Sequence, residues 1–315
     1  MHWTVPPATQ PMPALEALQA RFPPLGDPSA TPLARRFACG EVVGADGRAW
    51  AAGELVGPGD ELWFHRELRA EHVPRAELRI LHRDEHLLVL DKPHDMATMP
   101  RGAHVRSSAL VRLRRATGIT TLTPLHRLDR RTAGVLAFGI RTQERAAYQQ
   151  LFARGAVRKD YLARVTMPRG DHAPARIPTR AGARATLRDR LHKQHGELTT
   201  DVVSGEPNAI TELEVLAQEA NGTLLLRLRP LTGRTHQLRA QLAARGAPIR
   251  GEDLYPQPPS ATDGDPAPGT VLALLARSLS FTDPITGQER CFTSSGELGP
   301  GERQSMGGDG PAPRR

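Results

Sequence analysis

Asp129 is the residue whose neighbours most favour chemistry. Arg127 lies two positions before it, and Arg130 and Arg131 follow it directly. Nearby cations lower the pKa of a carboxylic acid and keep it ionised. Residues 133–140 form an almost continuous apolar run, which is typical of a buried central strand and places Asp129 at the edge of a sheet. An ionised carboxylate in such a sheltered place can act as a nucleophile or a base, although the same spacing also fits a surface ion pair with Arg127.

A second candidate site follows a turn at Gly233. Thr235 can cap the helix that the following residues predict, so Arg234 and His236 project near the first turn of that helix. Backbone N–H groups point outward there and favour anions. The segment therefore predicts a place to hold a carboxylate or a phosphate. The alternative is an ordinary helix cap beside a solvated arginine.

The common signatures of nucleotide, cofactor and metal sites are missing from the sequence. It contains no GxxxxGK[ST] phosphate loop, no GxGxxG after a strand, no GxSxG and no HExxH. His192 and His195 form only a weak metal motif, and Cys39 and Cys291 are too few for a disulfide framework or a cysteine-rich zinc site. We therefore expect an activity that uses no metal and no cofactor.

Positive charge is concentrated in the middle of the chain. Of its 42 basic residues, 39 are arginines, which bind phosphate through two hydrogen bonds and stack on bases. Residues 101–200 carry 21 basic and 6 acidic side chains, a net charge of +15, whereas the rest of the 315 residues carry −7. A basic middle within an acidic frame favours a polyanionic partner. Genome composition and an ordinary solvated surface are the alternatives.

The elements that position these residues are strands joined by hairpins, with a few amphipathic helices. Apolar runs and alternation predict strands at 78–81, 87–90, 133–140, 161–165, 210–216, 224–228 and within 272–281. Helical spacing with closing glycines predicts helices at 108–117, 142–153 and 235–245. Asn221 and Gly222 predict a hairpin turn. The pattern indicates an α+β class with a mixed, mainly antiparallel sheet.

Composition divides the chain into four predicted parts. They are an extended or disordered arm at 1–33 with one short helix at 14–22, a small module at 34–77, a main domain at 78–295, and a disordered tail at 296–315. Residues 256–269 predict a mobile loop within the main domain. The chain has no apolar run of membrane-spanning length and no signal-peptide pattern, so we expect a cytoplasmic protein.

Five motifs resemble those of the RluA-type pseudouridine synthases. Residues 126–129 (HRLD) and 132–135 (TAGV) resemble the HRLDxxTSG signature of that family, and residues 233–239 (GRTHQLR) resemble its GRTHQ(I/L)R motif. Three further segments are similar to its opening hairpin with an (N)KP turn (80–93), its K-x-Y-x-A strand (158–163) and its P-I-x-G-D-x-x-Y segment (248–255). The motifs occur in the family's order and cover about residues 78–292.

The resemblance implies a mixed, mainly antiparallel sheet with a central RNA-binding cleft, and an RNA pseudouridine synthase that needs no cofactor. In that reaction the N1–C1′ bond of a uridine breaks, the base rotates and C5 bonds to C1′. Asp129 matches the essential aspartate, Tyr161 the tyrosine that stacks under the uracil, and Arg234 the arginine that pairs with the aspartate. Arg127 matches the arginine that fills the RNA stack once the uridine is extruded, since a stacked base is out of reach.

The resemblance also implies RNA contacts beyond the catalytic residues. The predicted RNA-binding residues are Arg127, His126, Arg130, Lys92, Lys159, His236 and Arg239. The chain departs from the family pattern at Asp95, where the (N)KPxG turn usually has glycine, and at Leu275, where the family often has histidine. Residues 34–77 echo an S4-like RNA-binding module only faintly.

Three functions remain open at this level. The first is an active RNA pseudouridine synthase, the second a non-catalytic RNA-binding protein on the same scaffold, and the third a small-molecule isomerase or lyase. The charge pattern disfavours the third. The sequence does not choose between rRNA and tRNA as substrate. We expect a monomer with no nucleotide cofactor and no membrane partner.

Overall fold

The computed structural model describes most of the chain. The described residues are 1–26, 31–65, 71, 77–100, 104–167, 176–219, 222–255 and 270–298. They belong to two compact units, Met1–His72 and Val73–Arg315. The predicted mobile loop at 256–269, Asn221 of the predicted hairpin turn and residues 299–315 of the predicted tail lie outside the described residues. Within the described ranges, no helix has the length and apolar character needed to cross a bilayer.

The N-terminal unit consists of short elements around one apolar core. Its elements are β1 (His2–Thr4), β2 (Met12–Pro13), α1 (Ala14–Arg21), α2 (Leu33–Ala38), β3 (Val42–Val43), β4 (Leu55–Val56) and β5 (Glu61–Phe64). Strand β5 lies between β1 and β3, and β2 pairs with β4. The helix predicted at 14–22 corresponds to α1.

Residues 1–26 are not the extended arm that their composition predicts. Strand β1 pairs antiparallel with β5, and Val5 and Leu18 pack in the same core as Val56 and Leu62. A strand of three residues is too short to show a periodic pattern of apolar residues. Its hydrogen-bonding partner also lies far along the chain, so no local pattern indicates the pairing. Composition alone therefore assigned these residues to a separate part.

The second unit is built on one large sheet. Its strands are β6 (Arg79–Arg83), β7 (Leu87–Lys92), β8 (Thr123–Pro124), β9 (Ala133–Gly139), β10 (Arg158–Thr166), β11 (Arg184–His192), β12 (Asp201–Val203), β13 (Ala209–Gln218), β14 (Thr223–Pro230), β15 (Leu274–Thr282) and β16 (Glu289–Thr293). The main path runs β12-β11-β13-β14-β10-β15-β9-β7-β6, with β16 on β15 and β8 on β9. The β9–β15 pair is parallel and the others are antiparallel. The predicted α+β class with a mixed, mainly antiparallel sheet is confirmed.

Three helices accompany the sheet, and the apolar core divides around β10. The helices are α3 (Ala109–Thr117), α4 (Arg145–Ala153) and α5 (Gln237–Ala243). One cluster packs Leu226 and Leu228 of β14 against α5, and another packs Leu90 of β7 against α3. Tyr161 on β10 packs against both clusters. The sheet therefore places Tyr161 where the two cores meet.

Glycine is required where β9 begins. Gly134 has φ +112, and a Cβ atom built on it would lie 2.2 Å from the carbonyl oxygen of Ala276. The parallel pairing of β9 with β15 brings these two backbones together, and only glycine allows both the angle and the approach. This contact holds the start of β9, and with it the loop that carries Asp129, against the middle of the sheet.

Candidate active site

Asp129 lies in the loop before β9, and the segment after β7 holds the backbone of that loop. Thr98 Oγ1 donates a hydrogen bond to the carbonyl of Leu128 at 2.8 Å and accepts one from its N–H at 3.1 Å. His94 Nδ1 lies 2.8 Å from the carbonyl of Arg131. Because backbone groups on both sides of Asp129 are bound, the direction of its side chain is fixed by the fold.

Lys92 completes this support from the interior. It is 1% exposed, and its Nζ donates to the carbonyls of Pro93 at 2.9 Å, Met96 at 2.8 Å and Arg130 at 3.1 Å. An ammonium group has three donors, so all of them are used. Burial lowers the pKa of Lys92 to about 7, against the opposing charge of Asp129. The prediction that Lys92 binds RNA is therefore wrong, since no part of its charged group faces solvent.

The Asp129 loop opens into a cavity of about 660 Å³. Its walls come from this loop, the end of α4, the start of β10 and the turn that leads into α5. The predicted site residues in these walls are His126, Arg127, Asp129, Lys159, Tyr161, Arg234, His236 and Arg239. Lys92 and Arg130 lie outside the lining. A cavity of this volume can enclose a small organic group such as a nucleobase.

Two side chains from the motif at 233–239 line the cavity together with Asp129. His236 Nε2 lies 3.8 Å from Asp129 Oδ1. Arg239 is 3% exposed and donates to Glu252 Oε2 at 2.8 Å and to Asp253 Oδ1 at 2.9 Å. Burial opposes the charge of Arg239, but the hydrogen bond and charge of Glu252 and the charge of Asp129 raise its pKa. The cavity wall that contains Asp129 therefore also contains a charged guanidinium held in a buried ion-pair network.

Arg234 does not form the predicted pair with Asp129. Its side chain is exposed, and its Nε donates to the carbonyl of Asn208 at 3.2 Å. Helix α5 begins only at Gln237, after a left-handed residue, His236, with φ 52. Arg234 therefore precedes the helix at the rim of the cavity, whereas Arg239 lies inside the helix and faces the interior.

Comparison with known proteins identifies the family. Residues 86–244 match the family described as RNA pseudouridylate synthase. The chain is also 30% identical over 223 residues to the dual-specificity RNA pseudouridine synthase RluA of Haemophilus influenzae, covering 70% of this chain and 94% of that protein.

This chain belongs to the RNA pseudouridylate synthase family. It is an RNA-modifying isomerase of the RluA type, as its motifs predict. The RluA protein of Escherichia coli is 29% identical over 226 residues, covering 70% of this chain and 94% of that protein. The solved structure of human RNA pseudouridylate synthase domain containing 1 matches with a TM-score of 0.53 at 23% identity, covering 68% of this chain and 82% of that one, and this likeness shows the fold.

Tyr161 and Lys159 face the cavity of this pseudouridine synthase from strand β10. Tyr161 pairs with Leu228 of β14 and Ala276 of β15, in the middle of the sheet. Burial and the charge of Asp129 raise the pKa of Tyr161, so its phenol is neutral at pH 7. Burial lowers the pKa of Lys159, whose Nζ lies 3.5 Å from the carbonyl of Thr232.

His126 supports the site through its ring. Its Nε2 accepts the N–H of Ala137 in β9 at 3.1 Å, and its ring stacks on Phe152 with centroids 5.0 Å apart. Burial, together with the charge of Lys159, lowers the pKa of His126 to about 3. The ring is therefore neutral at pH 7 and brings no positive charge to a phosphate.

Arginines surround the mouth of the cavity of this synthase. Arg127 and Arg154 line it with exposed side chains, and among the described residues neither has an ion-pair partner. Arg130 lies outside it and pairs with Asp95 at 2.9 Å. Asp95 has φ 57, a left-handed conformation that aspartate tolerates better than most residues. This is why aspartate can stand where the resemblance expects glycine.

Sequence reasoning missed several residues that shape the site. Examples are Arg154 at the end of α4 and three buried residues, Glu252, Tyr255 and Thr98. Glu252 and Tyr255 lie in the segment 248–255, which resembles a motif of the family, and this resemblance was the signal that could have identified them. Across the described part of the chain, no cluster of three His, Cys, Asp or Glu side chains is arranged to hold a metal ion.

Proposed function

We propose that this pseudouridine synthase isomerises specific uridines of rRNA or tRNA and that Asp129 is its catalytic residue. The observation that carries the proposal is the position of Asp129 in the wall of a 660 Å³ cavity, with Arg239 and Tyr161 in the same wall. The reaction breaks the N1–C1′ bond, forms the C5–C1′ bond, releases the C5 proton and protonates N1. Its atoms and electrons balance without an oxidant, a reductant or a nucleotide cofactor.

Asp129 acts as an ionised carboxylate on the reacting nucleoside. Arg239 supplies a fixed positive charge in the same cavity wall. Tyr161, neutral and aromatic, offers a face on which the uracil stacks. Arg234, at the exposed rim rather than beside Asp129, fits a phosphate contact better than a catalytic role.

The uridine must leave its stack to reach this cavity, because C1′ and C5 are inaccessible within a helix. Arg127 and Arg154 stand at the mouth with exposed guanidinium groups. Arginine both binds phosphate and stacks on bases. The two side chains therefore bind the RNA backbone at the mouth of the cavity. His126 and Lys159 shape the wall behind them.

Tritium release from RNA labelled at uridine C5 tests the proposal. C5 loses its hydrogen when it bonds to C1′, so release reports the isomerisation itself. Wild type should release tritium, and Asp129→Asn should bind the same RNA without release. Turnover by Asp129→Asn would refute the role of Asp129, and RNA binding by wild type with no release from any substrate would support a non-catalytic RNA-binding protein.

The RNA substrate is the finer part of the proposal. The similar proteins are named as dual-specificity enzymes, so unmodified transcripts of rRNA and of tRNA are the first substrates to compare. Mapping the modified position in whichever transcript reacts identifies the uridine. A monomeric, cytoplasmic enzyme with no nucleotide cofactor remains a prediction.

A further inference from the structure

A row of contacts runs from the interior of the protein to Asp129. The N–H of Thr200 donates to the hydroxyl of Tyr255 at 3.0 Å. That hydroxyl lies 3.1 Å from His236 Nδ1, and His236 Nε2 lies 3.8 Å from Asp129 Oδ1. Thr200 and Tyr255 are buried, whereas His236 and Asp129 line the cavity. The row therefore links a buried backbone group to the reacting wall.

Tyr255 decides which ring nitrogen of His236 carries the proton. Its oxygen accepts the N–H of Thr200, and its own hydrogen is available to donate to Nδ1. When one ring nitrogen accepts a hydrogen bond, the proton of a neutral imidazole resides on the other. The Nε2–H group therefore points toward Asp129. The carboxylate favours the same tautomer, because a lone pair on Nε2 would repel it.

The backbone of His236 is constrained to present its ring in this way. The residue has φ 52 and ψ 21, a left-handed conformation that is uncommon outside glycine and that histidine adopts more often than most other residues. Among the described residues, one other non-glycine residue, Asp95, has positive φ. The ring of His236 stands almost perpendicular to that of Tyr255, with centroids 6.0 Å apart, so the His236 ring is held from the side as well as at Nδ1. Strained backbone of this kind concentrates at functional sites.

We propose that His236 is a positioning residue for the reaction: its Nε2–H group, oriented by Tyr255, holds the Asp129 carboxylate in the direction from which it meets the uridine. The inference rests on the proposed function of Asp129. The present 3.8 Å separation is longer than a direct hydrogen bond, so the inferred contact requires the two groups to approach by about 1 Å. Burial lowers the pKa of His236 against the opposing charge of Asp129, so the ring works as a neutral, oriented donor.

Kinetics of a double-mutant cycle test the link between the two side chains. Tyr255→Phe keeps the buried ring and removes the hydroxyl, and His236→Asn keeps a residue that tolerates left-handed backbone. Each variant should lower kcat by about tenfold to a hundredfold with little change in KM, the effect of one hydrogen bond to a charged group. In the His236→Asn background, Tyr255→Phe should cause no further loss of kcat.

Tyr148→Phe is the matched control. Tyr148 is also buried, its hydroxyl donates to Asp283 at 3.0 Å, and it does not line the cavity. The kcat and KM of the Tyr148→Phe variant should equal those of wild type. If Tyr255→Phe lowered kcat equally in the wild-type and His236→Asn backgrounds, its effect would be a structural consequence of the unpaired Thr200 N–H, and the proposal would be overturned.

Nitrogen-15 NMR of histidine-labelled protein tests the tautomer without any RNA. The signals of His236 are assigned by their loss in His236→Asn. Wild type and Tyr148→Phe should show a protonated Nε2 and an unprotonated Nδ1, and Tyr255→Phe should shift this balance. A protonated Nδ1 in wild type would overturn the inference even if the enzyme were active. The expected tautomer in a protein that modifies no RNA would instead refute the proposed function alone.

Discussion

The arginines on the solvent face of the sheet differ from those at the mouth of the cavity. On the sheet, Glu214 of β13 accepts hydrogen bonds from Arg184 of β11 at 3.2 Å and from Arg227 of β14 at 2.9 Å. Arg229 next to them bonds Asp160 at 3.1 Å. At the cavity, Arg127 and Arg154 have no such carboxylate among the described residues. Both groups come from chemically identical side chains.

The difference shows that net charge overstates the RNA-binding surface. In antiparallel strands directly opposed residues lie close together, so the register Arg184–Glu214–Arg227 places one acid between two arginines and offsets part of their charge. The hydrogen bond from Arg184 lowers the pKa of Glu214 and keeps that acid ionised. Arg184 of the basic middle, and Arg227 and Arg229 beyond it, are thus paired with acids within the sheet, whereas Arg127 and Arg154 at the cavity have no ion-pair partner among the described residues.

Replacing the buried Arg239 should have the largest effect on stability and on activity. Arg239→Met leaves the completely buried side chain of Glu252 without its main partner, and we expect a loss of about 3–5 kcal/mol in the free energy of unfolding, together with loss of kcat. Urea denaturation measures the first and tritium release the second. The double variant Arg239→Met/Glu252→Gln should regain stability without regaining kcat. A stable Arg239→Met protein would contradict the role of the buried network.

The cavity-mouth arginines should affect RNA binding and leave stability alone. Arg127→Ala and Arg154→Ala should each weaken binding and reduce the slope of log affinity against log salt by about 1, the effect of one lost phosphate contact. Filter binding across a salt series measures both quantities. An unchanged salt slope in both variants would place the RNA elsewhere on the protein.

Acid should destabilise the protein partly through His126. Its pKa is about 3 in the fold and about 6.5 in an unfolded chain, so below pH 6.5 the unfolded state binds the proton and the folded state does not. The free energy of unfolding therefore falls as the pH falls from 6.5 toward 3. The full linkage between pH 6.5 and 5.5 is about 1 kcal/mol, and because the ring is partly exposed we expect this residue to contribute less than that. His126→Asn should lose less stability than wild type over that interval, in urea titrations at both pH values, and equal losses would contradict the neutral state of the ring.

The sheet-face arginines should give the smallest effect. Arg227→Ala removes one exposed ion pair, which contributes little because solvent screens it. We expect a small change in the urea midpoint and no change in RNA affinity or salt slope. This variant is the matched control for Arg127→Ala and Arg154→Ala. A salt slope reduced as much as theirs would mean that the sheet face binds RNA and would erase the distinction between the two regions.

The family motifs and the apolar patterns predicted much of the second unit. The buried run that became β9 has seven consecutive buried residues, so its pattern was unambiguous. Strand β11 was missed, because its buried side chains, Leu187 and Leu191, are four residues apart in a stretch of arginines. Asp189 lies between them on the same face of the strand, so the apolar residues do not recur at every second position. The partner strand β13 lies further along the chain.

The sequence by itself determined the family, the fold class and the place of Asp129 and Tyr161 near one site, because these depend on local motifs and on the periodicity of apolar residues. Only the tertiary structure decided what each charge does. Lys92 binds the carbonyl of Arg130 across 38 positions of chain, and Arg239 rather than Arg234 is buried in the cavity wall because the chain turns at His236 before α5 begins. The partner of a charged side chain is a contact between distant segments, and such contacts exist only after the chain has folded.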